Sequence, residues 1–359
     1  MGTGTSVTGV TDLSVRALPP HEIAFFVGES AHHPRARSLH EGRRVVRRAV
    51  PGQPYSLDDG LGFRRVQLDG RTQFEILALA PVLANHPIVE QAIRTRSSRY
   101  ADLDMRSFAA VRRLERSGAS LNIVTEVPPG VRLSHLLAHL ESTGEVMADP
   151  AIFELASSII NAVASLHAWP GGLAHGAINP AHILLTNDGR VLLTDGVFGA
   201  GFEALQRNRE ALWKEFRLAM PPAASLARFD QQTDVTQMGA CILALILQRP
   251  LRGTEYPRGV SDLVMSATEA ASLSGSAAGL TLRTWLQAAL QIHAKLAFRS
   301  AVDAQRTFSE LASTRHSRGE GAGALQLLMR TTCAEPSTPP ATVLHEPAAR
   351  AAFSERKAR

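Results

Sequence analysis

The distribution of hydrophobic periodicity along the chain limits most tightly what it can fold into. Period-two runs, the pattern of half-buried strands, crowd the first third at Arg44 to Val50, Phe63 to Leu68, Phe74 to Leu79, Ala109 to Leu114 and Leu121 to Val127. Asp69-Gly70 and Ser117-Gly118 supply turns between them. One helical pattern, Pro87 to Arg99, interrupts this series. Beyond it the periodicity is mainly helical: Leu133 to Glu141, Ala151 to His167, Asp234 to Leu247, Leu282 to Ala294 and Val302 to Leu311. Asp149-Pro150 marks a helix start, with Asp expected at the N-cap and Pro at the first helical position. A hairpin, Ile183 to Leu185 and Val191 to Thr194 across Asn187-Asp188-Gly189, breaks the helical stretch. The pattern predicts an α+β chain in two parts, a five-stranded antiparallel sheet with one inserted helix and then a larger helical body.

Composition narrows the class. With 359 residues, 45% of them hydrophobic and 20% charged, the chain is long enough to bury a sizeable core. Its longest apolar run, Met238 to Leu247, is about half the length that crosses a bilayer. Cys241 and Cys333 form neither a disulfide framework nor a zinc pattern, so a soluble cytoplasmic protein without a membrane partner is expected. Residues 1–20 read as a flexible leader and residues 316–359 as a tail too poor in apolar surface to order itself, leaving lobes at 21–130 and 131–315.

The net charge of +5 is carried almost wholly by arginine, since lysine occurs only at Lys214, Lys295 and Lys357. Arginine pairs at 43–44, 47–48, 64–65 and 112–113 give the first third a basic cast. Aromatic residues are only 5% of the chain and no nucleic-acid motif accompanies the pairs, so they read as a solvated basic face and not as a nucleic-acid site. His135 and His139 stand one helical turn apart, but the intervening glutamate of a His-Glu-x-x-His metal site is missing.

The segment His175-Gly-Ala-Ile-Asn-Pro-Ala-His-Ile-Leu-Leu185, followed by Asp195-Gly-Val197, resembles the catalytic loop and metal-binding turn of protein kinases. Further anchors follow the kinase order. Leu121 to Gly130 resembles the last small-lobe strand and hinge, Thr233-Asp-Val-Thr-Gln-Met-Gly239 the head of the central helix, and Ala297-Phe-Arg-Ser-Ala301 a motif near the end of the fold. The resemblance covers roughly residues 40 to 315 and implies a bilobal protein-kinase-like fold. It also implies structural roles for His175, for Asp234 bonded to the loop backbone, and for Arg299.

The same resemblance identifies the chain as a degenerate member, a pseudokinase. Phosphoryl transfer depends on a glycine-rich phosphate cover, a strand lysine, a loop Asp base and metal ligands. Ala177 stands at the base position, Asn179 where a loop lysine is common, and His182 where a metal-binding Asn belongs. No lysine precedes residue 214, and Phe74 to Ala78 occupies the strand that would carry it, without an arginine to replace it. Glu90, the helix glutamate of the resemblance, is then left as a solvated acid. Among the metal-holding positions Asp195 keeps its kinase identity, as a possible metal or cofactor ligand. The implied function is a catalytically inactive domain that binds, scaffolds or regulates protein partners, with no cofactor. The competing expectation is a divergent phosphotransferase that binds ATP with Mg2+ or Mn2+ through Asp195.

Overall fold

Five antiparallel strands pair in the order β1-β2-β3-β5-β4: β1 (Pro54–Ser56), β2 (Gly62–Asp69), β3 (Thr72–Leu79), β4 (Val111–Ser117) and β5 (Ser120–Glu126). The computed structural model describes residues 51–332 apart from 102, 104–105, 223–226, 271–276 and 314–317. The expected leader, the run Arg44 to Val50 and the arginine pairs at 43–44 and 47–48 lie outside the described residues. β2 and β3 form a hairpin in which Asp69 faces Thr72 and Arg65 faces Ile76. β1 is too short for a period-two signal, and β4 begins two residues later than its hydrophobic run predicts.

Helices α1 (Pro81–Ala84) and α2 (Pro87–Tyr100) join β3 to β4. Pro81 and Pro87 open them, where a missing amide hydrogen costs nothing. Val89 and Ile93 of α2 bury against Leu77 and Leu79 of the sheet, in a cluster that also takes in Ala177, Val197 and Phe202 from the helical body. This shared core ties the sheet to the segment after the hairpin.

The helical body begins with β6 (Gly130–Arg132), which pairs with β7 (Ile183–Thr186) and through it with β8 (Val191–Leu193). The helices of this body are α3 (Leu133–Thr143) and α4 (Asp149–His167), which pack on the small sheet, then α5 (Gly199–Ala204), α6 (Arg209–Phe216), α7 (Gln231–Leu247), α8 (Val260–Ala270), α9 (Ala277–Ala289) and α10 (Ala301–Ser313). The main core forms where Leu155, Ile159 and Val163 of α4 meet Val235, Met238 and Ile242 of α7. Each such side chain contributes about 1.5–3 kcal/mol on burial. α7 is buried around nearly its whole circumference, as its near-continuous apolar run requires. Ala148, not Asp149, takes the N-cap backbone position of α4, and Asp149 sits in the first turn, where its charge complements the helix dipole.

The tail departs from expectation. Helix α11 (Arg318–Thr332) packs on α4, burying Leu325 and Met329 one turn apart. Composition alone misses it, because two apolar residues at i, i+4 suffice once a helix is present to receive them. Residues 333–359 lie outside the described residues.

Candidate functional site

The β1–β2 loop, Leu57 to Leu61, folds down between the sheet and the helical body. Asp59 at its tip is fully buried. Its carboxylate accepts from the Leu61 amide at 3.0 Å, from Arg64 Nη2 at 2.7 Å, and meets His182 Nε2 at 3.1 Å. Gly60 has φ +63°, and a Cβ there would lie 2.2 Å from the Glu215 carbonyl oxygen, so only glycine lets the loop seat directly on the end of α6.

Arg64 lies at the centre. On β2 it alternates inward with Val66, and its side chain is 1% exposed. Nη1 donates to Glu75 at 2.7 Å and reaches Asp195 at 3.3 Å, while Nη2 holds Asp59. Glu75, buried on β3, also takes both oxygens to Arg132 Nη2 at 2.8 Å and accepts from the Tyr55 hydroxyl. Arg132, at the start of α3, donates to Thr194 and stands 3.9 Å from Asp195. Thr194 Oγ1 in turn donates to Asp195 at 2.7 Å. Three carboxylates thus share two guanidiniums and the His182 ring inside a buried cleft.

The electrostatics follow. Burial would raise the Asp195 carboxyl, but Arg64 and the other cations outweigh it and hold the group at about 2. Burial and then Arg132 and Arg64 act the same way on Glu75, also held at about 2. Asp59 is depressed as well, its burial outweighed chiefly by Arg64. Asp195 has φ +66°, in the left-handed region that aspartate tolerates better than most residues. Its oxygens point at arginine and threonine, and no cluster of three or more metal-ligating side chains occurs among the described residues.

The gap left between the lobes near Tyr55, Glu75, Val127 and Arg132 is about 30 Å3, against roughly 300 Å3 for the smallest usual ligand pockets. As closed here, that gap is smaller than a nucleotide needs, and Arg64 rather than open space lies against Asp195.

The remaining positions of the loop are structural. Asp234 Oδ2 accepts from the His175 amide at 2.5 Å and Oδ1 from the Gly176 amide at 2.6 Å, with His167 Nε2 at 2.9 Å completing the anchor. His175 is buried, its Nδ1 accepts from the Ala177 amide at 3.2 Å, and burial lowers its pKa to about 4, so the ring is neutral. Ala177 is wholly enclosed in the apolar cluster under the sheet. Asn179 caps the turn Pro180–His182, accepting from the Ala181 and His182 amides and donating to the Phe216 carbonyl.

A Cβ on Gly196 would come 2.7 Å from the Tyr100 ring. Tyr100, from the end of α2, occupies the space that a phenylalanine after Asp195 would otherwise fill, and its hydroxyl donates to the Ala174 carbonyl at 3.0 Å.

No family model matches the sequence, and no curated protein matches it. Solved structures do. The kinase domain of Mycobacterium tuberculosis PknI superposes with a TM-score of 0.51 at 17% identity, over 73% of this chain and 94% of that one. A cysteine-to-alanine mutant of the same domain gives 0.52 at 18%, over 72% and 94%. The chain has a protein-kinase-like fold.

Within this kinase-like fold several expectations need correction. Arginine does enter the cleft, from β2 and not from β3, so Arg64 is no part of a solvated basic face; Arg65 beside it is exposed. Arg112 and Arg113 are exposed and paired with Glu126 and Glu115. Arg299 is exposed, with no ion pair among the described residues. Glu90 is not without partners: it pairs with Arg94 at 2.7 Å and with Arg116, pointing away from the cleft. His139 lies 3.5 Å from Glu145. Arg64, Glu75, Asp59 and Arg132 were all missed as site residues. The available signal was parity, since Arg64 and Val66 share one face of β2, and Glu75 and Leu77 one face of β3.

Proposed function

We propose that this protein is a catalytically inactive kinase-like domain, a pseudokinase, that works as a binding or regulatory module for protein partners in the cytoplasm. The observation that carries this reading is the occupation of the cleft by the protein's own charges. Arg64 is bound to Asp59, Glu75 and Asp195, so the carboxylate that would hold a metal is already neutralised, and the loop that would cover phosphates is pressed onto α6. The base position is an alanine methyl buried in the core. Loss of a general base alone lowers a rate by about 10²–10⁴-fold. No helix among the described residues is long and apolar enough to cross a membrane.

One observation favours the rival reading: an arginine does stand beside Asp195, as a substitute lysine would. Both terminal nitrogens of its guanidinium are committed to carboxylates, however, and only the enclosed Nε is left without a partner. Thermal unfolding with ATP or ADP, with and without Mg2+ or Mn2+, separates the two. The proposal expects no rise in melting temperature at millimolar nucleotide. A metal-dependent rise, abolished in Asp195→Ala, would overturn the occupied cleft and favour the phosphotransferase reading instead.

A further inference from the structure

A second cavity lies on the other side of the loop that closes the cleft. It measures about 380 Å3 and sits between α3, the Ile178–Ala181 segment, α6 and α7. Its walls include Ile178, Trp213, Ala219, Ala240, Cys241 and Leu251. That volume is within the range of small-molecule sites, which are mostly apolar with a few convergent polar groups.

Two such groups are present. Gln237 on α7 is fully buried; its Oε1 accepts from the Ile178 amide at 2.8 Å, but its Nε2 has no hydrogen-bond partner. Ser134 Oγ on α3 is likewise buried without a partner. Both residues line the cavity, with the two unpartnered atoms set just behind its surface, so each side chain must turn to bring its donor to a ligand. A buried donor without an acceptor is costly, and native interiors avoid it unless something else satisfies the group. Formal charge is confined to Asp58 and Arg217, which pair with each other at 2.7 Å at the exposed side. Of the other titratable wall residues, His135 is held below its ordinary pKa by burial and the Cys241 thiol is pushed up by burial, so both are neutral.

We propose that this cavity binds a neutral, largely apolar small molecule whose acceptor oxygen, of the carbonyl type, receives hydrogen bonds from Gln237 Nε2 and Ser134 Oγ. Size favours a molecule over water alone, the apolar walls favour a ring or short chain, and the self-neutralised mouth disfavours a net charge. The site is independent of whether the cleft takes nucleotide. It touches the cleft nonetheless, because its wall segment continues into His182, the ring that holds Asp59.

Acetanilide, a neutral aromatic amide, is a suitable probe, titrated into the full chain by ligand-observed NMR with benzoate as the charged analogue. Saturable binding with Kd of about 1 mM or tighter is expected for wild type, and at least about tenfold weaker binding for benzoate. Ala240→Leu, which fills the cavity, and Ser134→Ala, which removes one donor, are each expected to weaken acetanilide binding, the first by about tenfold or more. Should Ala240→Leu not fold, Ala244→Met supplies the filled cavity. The proposal is overturned if acetanilide shows no saturable binding to wild type, if benzoate binds as tightly, or if a folded cavity-filling variant binds acetanilide as wild type does.

Discussion

Replacing Arg64 with leucine removes the cation on which three acids converge. Glu75 would keep both hydrogen bonds from Arg132, but Asp59 would retain only His182 and the Leu61 amide, and Asp195 only Thr194 and the more distant Arg132. Removing one partner of a buried ion pair costs about 3–5 kcal/mol, because the other charge stays desolvated. For a domain of this size that is a fall in melting temperature of roughly 6–20 °C. The loss should depend on pH in a defined direction. In wild type the depressed carboxylates are ionised in folded and unfolded chains alike from pH 7.5 to pH 5. In Arg64→Leu, burial raises the folded-state pKa of Asp59 and Asp195 above the unfolded value of about 4. The contribution of these two acids to the variant's stability is then fully present at low pH and lost as pH rises through the raised values, so its deficit against wild type shrinks from pH 7.5 to pH 5. Urea unfolding of both proteins at the two pH values measures this, and the contribution of His175 cancels in the difference. A deficit below about 1 kcal/mol at pH 7.5, the size of a surface ion pair, or one that grows at pH 5, would refute the buried network.

Three further outcomes can be checked. The folded pKa of His175, about 4 against 6.5 unfolded, means that the unfolded chain binds the extra proton first, so wild-type stability should fall by about 3 kcal/mol as pH drops from 6.5 to 4. His175→Gln should flatten that part of the pH profile in denaturant titrations. Tyr100→Ala should cost about 3–5 kcal/mol in chemical unfolding by emptying the space beside Gly196, and adding Gly196→Phe should recover part of the loss. Leu325→Ala should lower unfolding free energy by about 2–5 kcal/mol if α11 is docked on α4, and by almost nothing if the tail contributes no packing.

The layout of the fold was legible from periodicity, because β2, β3, β5 and the long helices each carry enough apolar positions to declare their period. β1, β6 and α5 are too short to do so. At the site, the anchor Asp234 and the alanine at 177 were readable from motif order. The ion network was not, for two different reasons. Arg64 and Arg65 look alike as a basic pair, yet neighbours on a strand face opposite sides, so one had to point inward. That inference needs only parity. The partners of Arg64, by contrast, lie 5, 11 and 131 residues away, and only the assembled topology brings Asp195 to the sheet.

The same contacts that close the cleft also cross it. Arg64 and Glu75 belong to the sheet, Arg132 and Asp195 to the helical body, and each pair is joined across the boundary. Opening the cleft would part Arg64 from Asp195 and Arg132 from Glu75 and leave buried charge unpaired, so these contacts oppose separation of the lobes. A partner that grips both lobes therefore meets a surface already aligned, and sacrifices little interlobe entropy on binding.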